Sequence, residues 1–285
     1  MMRLGIFAKT FPRPSLEETL DAVRAHEMGC VQFNMSCAGL RPMPEEIPPE
    51  LADRIREEMN RRDLTMSAVS GTFNMIHPDP DERRAGLRRL EALAGACGRL
   101  GTSVITLCTG TRDPEDMWRH HPDNHTPGAW RTLLASMEQA VRVAEEHEVT
   151  LAFEPEVNNV VDSAEKGHRL LNEMRSSHLK VIMDAANLFR EGELAHSDEV
   201  LDKAFELLGN DIVIAHAKDL KNTGEMVAAG LGDLDYDRYL ENLRGVRFEG
   251  PLILHGLEES EVEGSVAFLH TKLGDEAAYS DRRGR

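Results

Sequence analysis

The sequence is short of positive charge. Its 33 Lys and Arg stand against 50 Asp and Glu, a formal net charge of −17 over 285 residues. Nucleic-acid binders need a basic face to displace counterions from phosphates, so that class is disfavoured. Arg83-Arg84 and Arg88-Arg89 sit at helical spacing among acidic neighbours and read as a solvated helix face. Long apolar runs are missing as well. The longest are four to eight residues, far below the roughly 20 that cross a bilayer as a helix. The opening segment, Met1-Met2-Arg3-Leu4-Gly5-Ile6-Phe7, turns polar at Lys9 and meets Pro12. It has neither the apolar stretch nor the small-residue cleavage site of a signal peptide, and the expected location is cytoplasmic.

Cysteine is scarce. Cys30, Cys37, Cys97 and Cys108 include no C-x-x-C pair, which removes zinc ribbons and thioredoxin-type centres. Cys30 and Cys108 lie in apolar strand-like runs and Cys97 in a helical one, so all three read as small buried apolar residues.

What is present is a regular alternation. Short apolar, β-branched runs at 4–8, 30–35, 65–70, 103–109, 150–154, 180–184, 211–216 and 251–255 are separated by stretches of 3.6 period. The first helix opens at Ser15-Leu16-Glu17-Glu18 and ends at Gly29; others are expected near 49–61, 82–99, 128–147, 163–174, 196–208, 236–243 and 260–272. Strand starts advance from residue 4 to residue 251 in seven steps of about 35 residues, the size of one βα unit. Eight such units predict a single-domain (β/α)8 TIM barrel over residues 1–274, with a polar, frayed tail at 275–285. A doubly wound open sheet is the runner-up, but no G-x-G-x-x-G follows the first strand. Two long connections, 36–48 and 111–128, follow strands, on the side where barrels build their sites.

The last four strands share one pattern: LAF-Glu154, VIM-Asp184, VIA-His216 and LIL-His255. Side chains alternate along a strand, so the fourth residue shares the face of the second. If that face points inward, two carboxylates and two imidazoles converge at the carboxyl-terminal mouth, where burying them together calls for a divalent cation. A single polar residue ending a strand is commonly a helix cap; four in the same phase are not expected from capping alone. Imidazole donors favour Mn, Zn, Fe or Co over Mg. Lys218, two beyond His216, shares its face and could bind an anionic group or polarise an enolate; a salt bridge to Asp219 or Glu154 is the alternative. Glu156 could act as a base or support a ligand. Trp118 reads as a lid residue, and Lys9 and Asn34 end strands at the mouth.

These residues carry a resemblance. LAFEPE at 151–156, VIMDAANLF at 181–189, AHAKDL at 215–220, GLGDLDYDRYL at 230–240 and GPLILHGLEE at 250–259 resemble the xylose isomerase-like barrels, of the sugar phosphate isomerase/epimerase type. The resemblance implies a metal held by Glu154, Asp184 and His216. The family's fourth ligand is a last-strand Glu, where this chain has His255; either His255 is the ligand or Glu258 reaches back, and strand phase favours His255. Asn187 stands where relatives often have His, and His77, in FNMIHP, is implied as a substrate contact, against an exposed loop residue before Pro78. The implied function is a divalent-metal-dependent isomerase or epimerase of a sugar, sugar phosphate or related polyol or keto compound, working through an enediolate. Glu154 is the expected base, with Glu258 and Lys218 as further catalytic candidates and His77, Glu156, Asn187 and Trp118 binding substrate. An inosose-type dehydratase and a non-catalytic sugar-binding barrel are the alternatives; an apurinic endonuclease fits the acidic composition poorly. The partner is a carbohydrate-like small molecule rather than nucleic acid or membrane, with homo-oligomers through the helices expected of such barrels.

Overall fold

The computed structural model describes residues 2–274; the expected tail at 275–285 lies outside them. Among the described residues eight parallel strands close into a barrel: β1 (Arg3–Phe7), β2 (Cys30–Phe33), β3 (Thr65–Ser70), β4 (Val104–Cys108), β5 (Thr150–Glu154), β6 (Leu179–Asp184), β7 (Ile212–Ala217) and, after a short hairpin, β10 (Pro251–Leu254) beside β1. The hairpin is β8 (Asp219–Leu220) with β9 (Met226–Val227), antiparallel. Helices α1 (Leu16–Ala25), α2 (Pro49–Arg61), α3 (Pro80–Leu100), α4 (Pro127–Glu146), α5 (Ala164–Met174), α6 (Ser197–Leu208), α7 (Tyr236–Gly245) and α8 (Val262–Leu273) alternate with the barrel strands. This is a (β/α)8 TIM barrel. No helix of the described residues is long and apolar enough to cross a membrane.

The helices start where side chains can satisfy free backbone N–H groups. Ser15 caps α1 by accepting from Glu18 N–H, and Ser163 and Asp235 cap α5 and α7 in the same way. Helix α1 differs from expectation: it stops at Ala25 with His26 as its C-cap, and Glu27 turns to φ 60. The chain therefore leaves the helix before Gly29.

Two apolar shells form. The larger packs helices on the outside of the barrel. The smaller lies inside and consists of Cys30, Ala68, Ala152, Ile182, Ile214 and Ile253. Four of these are the second residues of the four-strand pattern, so Glu154, Asp184, His216 and His255 follow them one layer up, at the mouth. Gly5 makes the interior fit: a Cβ there would lie 2.5 Å from Cys30 Sγ and 2.6 Å from the Cys30 carbonyl. Gly5→Ala is expected to cost about 1–3 kcal/mol of stability through this overpacking, measurable by urea denaturation.

Candidate metal centre and barrel mouth

Strand ends and their braces position the site. Register shifts leave one extra residue in β3, Ser67 opposite Val31/Gln32, and one in β7, Val213 opposite Val181/Ile182 and just upstream of His216, and such irregularities re-aim side chains. Tyr239 of α7 holds β6 and β7 together: its hydroxyl lies 2.9 Å from the Met183 carbonyl and 3.0 Å from that of His216, donating to one at a time. Tyr236 donates to the Lys218 carbonyl at 2.9 Å. Asp219, buried beneath the loop that follows, accepts from the backbone N–H groups of Leu220, Gly230, Gly232 and Leu234. This explains the Gly-Leu-Gly of the 230–240 segment, since a Cβ on Gly232 would lie 2.3 Å from Asp219 Oδ1.

Glu154, Asp184 and His216 each turn a ligand atom to a common point, all within 4.8 Å of one another. His216 Nδ1 is 3.5 Å from Glu154 Oε2 and 3.6 Å from Asp184 Oδ2. Asp184 Oδ1 accepts from Ala186 N–H at 3.1 Å. Its Oδ2, like Nδ1 of His216 and of His255, is buried and makes no hydrogen bond. Lys218, buried, holds its ammonium 3.3 Å from Asp184 Oδ2 and donates to Asn187 Oδ1 at 2.5 Å. Asn187 in turn donates to Glu154 Oε1. Lys218 therefore pairs with Asp184 and not with Asp219.

The electrostatics favour positive charge at the centre. Burial works against a charged His216, but Glu154 and Asp184 outweigh it and push its pKa up to about 9. Burial likewise opposes the Lys218 ammonium, and Asp184 and Glu154 again outweigh it and raise its pKa. Asp184 is driven up by burial but held below the ordinary carboxylate range by the Lys218 charge and by His216. Burial, then the charge of His216, keeps His255 well below the usual histidine range. Glu156 is pushed up to about 8 by burial and then by the charge of Glu154.

A cavity of about 430 Å³ opens above this centre. Glu154, Glu156, Asn187, His216, Lys218 and His255 line its floor and wall, Lys9 and Asn34 its β1–β2 side, and Met117 and Trp118 arrive from the long loop after β4. Trp118 is 50 % exposed. The loop is ordered by buried Asn124, which accepts from Arg112 N–H at 2.7 Å and donates to the Asn158 carbonyl at 3.0 Å.

Two sequence candidates are not brought to the cavity. Glu258 is exposed and forms a capping box with Glu261 ahead of α8. His77 joins two loops instead: Nδ1 accepts from Asp79 N–H at 3.1 Å, so the proton sits on Nε2, 3.1 Å from the Pro114 carbonyl. His255 reaches the cavity but is not in the three-residue group; its ring stacks on that of His216, 5.0 Å between centroids at 14°. Gln32 was not foreseen. It is buried, and its Oε1 lies 2.9 Å from His216 Nε2, while its Nε2 points to Thr106 Oγ1 at 3.4 Å. Gln32 thus keeps a proton on Nε2 of His216 and leaves Nδ1 to face the carboxylates. A polar residue inside an apolar strand, CVQF, was the one available signal.

Comparison with known proteins places this fold. No curated protein matches the chain by sequence. Among solved structures it is similar to 3-keto-D-glucoside 4-epimerase YcjR from E. coli (16 % identity, 95 % of this chain and 100 % of that one, TM-score 0.74). It is similar to the probable 3-DHS dehydratase AsbF from Bacillus anthracis (15 %, 94 % and 98 %, TM-score 0.73). It is also similar to an IolI protein with a bound zinc atom (15 %, 98 % and 99 %, TM-score 0.68). The family description that matches, over residues 20–272, is the xylose isomerase-like TIM barrel, and this chain belongs to that family.

Proposed function

We propose that the chain is a divalent-metal-dependent isomerase or epimerase of a small sugar or related polyol–keto compound. The observation that carries this reading is the convergence of Glu154, Asp184 and His216, with Asp184 Oδ2 and His216 Nδ1 buried and unbonded. Neither atom makes a hydrogen bond, Asp184 Oδ2 has only the Lys218 ammonium at 3.3 Å, and a cation at the common point would engage both. The fourth position falls to His255 rather than Glu258, because the His255 Nδ1 is buried and unpartnered while Glu258 is engaged as a cap. Imidazole donors favour Mn, Fe, Co or Zn over Mg, and the zinc of the similar IolI protein agrees with that choice. When bound, such a metal acts as a Lewis acid toward a carbonyl and a neighbouring hydroxyl of the open-chain substrate.

The chain's own groups do the rest. Glu154 takes the proton from the carbon beside the carbonyl; the C–H electrons form the C=C bond and the carbonyl oxygen becomes the oxyanion of an enediolate. The Lys218 ammonium, fixed by Asp184 and Asn187 at the cavity wall, stabilises that developing charge. Returning the proton to the former carbonyl carbon, while the neighbouring hydroxyl gives up its proton to become the new carbonyl and the oxyanion takes one up, gives an isomerase. An epimerase needs the proton returned to the opposite face of the same carbon; Glu156, two residues beyond Glu154, is the other carboxyl group lining the cavity. Loss of a β-hydroxide from the enediolate would give a dehydratase instead, the reading favoured by the structural likeness to AsbF.

The test is a panel of ketoses, inososes and hydroxy-keto acids incubated with Mn²⁺-loaded protein in D₂O. Deuterium should appear beside the carbonyl of one compound and disappear with a chelator; an enone absorbance would mark dehydration. Exchange that survives chelation, or none across the panel, overturns the reading. Gln32→Leu frees the His216 tautomer and should weaken metal binding by about 10–100-fold with little change in fold, read by competition with a chromogenic chelator.

A further inference from the structure

Between the starts of α3 and α4, outside the barrel, lies a second cleft of about 630 Å³. Its lining includes Arg83, Arg84, Arg112 and Arg131 and no Asp or Glu. In a chain with 50 acidic residues this is a local inversion of charge. Several arginines elsewhere have carboxylate partners, as in Arg54–Glu17, Arg99–Asp53, Arg119–Asp113 and Arg238–Asp202, and others, such as Arg56 and Arg244, bond only carbonyls; the cleft differs in gathering four arginines on one lining. Of these four only Arg84 has a carboxylate partner, Asp81. Arg83 donates to the carbonyls of His77 and Pro78. Arg112 donates to the carbonyls of Ile76 (3.2 Å) and Gly128 (3.3 Å) and to Thr132 Oγ1 (2.7 Å). Arg131 makes no hydrogen bond or ion pair among the described residues. Neutral carbonyls orient a guanidinium without pairing its charge; at Arg112 only the more distant Asp123 offsets it.

Two further features add to that charge. Pro80 and Gly128, in the first turns of α3 and α4, line the cleft; Asp79 caps α3 and Asp81 and Glu82 sit in its first turn, so it is the start of the 20-residue α4, capped by neutral Thr126, that adds positive potential. The Arg112 guanidinium is partly buried, and burial, then the charge of Arg83, lower its pKa. Holding like charges together in a half-buried cleft costs free energy that a bound anion would offset. Three unpaired guanidiniums match the charge of a pyrophosphate group, and the planar fork of arginine suits phosphate oxygens.

We propose that this cleft is a binding site for a small phosphorylated compound carrying a pyrophosphate-like group, distinct from the barrel mouth. Arg112 belongs to the loop that carries Met117 and Trp118 over the cavity, and Arg83 holds the carbonyl of His77, which reaches Pro114 in that same loop. The ligand therefore sits against the two segments that order one wall of the mouth.

The experiment is calorimetric titration of inorganic pyrophosphate into the as-purified full chain, with citrate as the carboxylate comparison. Saturable binding should weaken at least about tenfold in Arg83→Gln/Arg131→Gln, weaken in Arg131→Gln alone, and fall with added salt. Arg131→Gln removes a side chain with no partner in the chain, so it keeps the test meaningful if the double variant fails to fold. Asp184→Asn should leave pyrophosphate binding unchanged, which separates this site from the mouth whatever the fate of the proposed reaction. Absence of saturable binding, binding indifferent to both arginine variants, or binding lost in Asp184→Asn overturns the site. Citrate binding as tightly as pyrophosphate overturns the phosphate assignment.

Discussion

Asp184→Asn is expected to lower turnover by at least about 10³-fold and to abolish stoichiometric metal binding. The side chain is buried, and its two oxygens have separate tasks. Oδ1 accepts from Ala186 N–H at 3.1 Å, a bond an asparagine oxygen can keep. Oδ2 faces His216 Nδ1 at 3.6 Å and the Lys218 ammonium at 3.3 Å. An amide NH₂ there brings donors against a cation and removes the negative charge that a divalent ion needs. Bound metal counted by mass spectrometry, together with deuterium exchange into the substrate, reads both effects. Full metal occupancy with undiminished exchange would remove Asp184 from the centre.

Lys218→Met acts on stability as well as on chemistry. The ammonium is the nearest fixed positive charge to Asp184, and Lys218 is only 7 % exposed. Methionine fills similar volume but leaves buried Asp184 and half-buried Glu154 with His216 alone as a positive partner. Removing one partner of a buried pair costs about 3–5 kcal/mol. A divalent metal supplies the missing charge, so Mn²⁺ should recover much of that loss and stabilise the variant more than the parent protein. Denaturation midpoints with Mn²⁺ and with chelator measure the difference. A variant as stable as the parent in chelator would show that Lys218 does not balance this site.

The architecture was legible because its signals are local. Strand and helix periods of 2 and 3.6 residues are written in neighbouring side chains, and the strands at 65–70, 150–154 and 4–8 differ from those observed by no more than a residue at either end. Phase was legible for the same reason: the inner cluster of Ala152, Ile182, Ile214 and Ile253 is the layer that alternation requires beneath Glu154, Asp184, His216 and His255. The β8–β9 hairpin was missed because its strands are two residues each, too short for any period to show. The end of α1 was misplaced because Glu27, a non-glycine residue, takes the positive φ that usually marks a glycine.

Partnerships across the barrel were not legible. His77 carries the same letters whether it meets substrate or ties Asp79 to Pro114, and only the approach of the loop after β4 chose the second. Gln32 meets His216 across 184 residues of chain, and Arg83 joins Arg112 and Arg131 from separate βα units. By itself the sequence determined the eight βα units, the inward phase of the strands and the four residue types at the last strand ends. Tertiary structure alone decided that three of those residues converge, that Gln32 sets the tautomer of His216, that Lys218 turns to Asp184 rather than Asp219, and that arginines of an acidic chain collect in one cleft. The physical reason is range: periodicity and capping act over a few residues, whereas convergence depends on barrel closure, which sets side chains hundreds of residues apart within one hydrogen bond of each other.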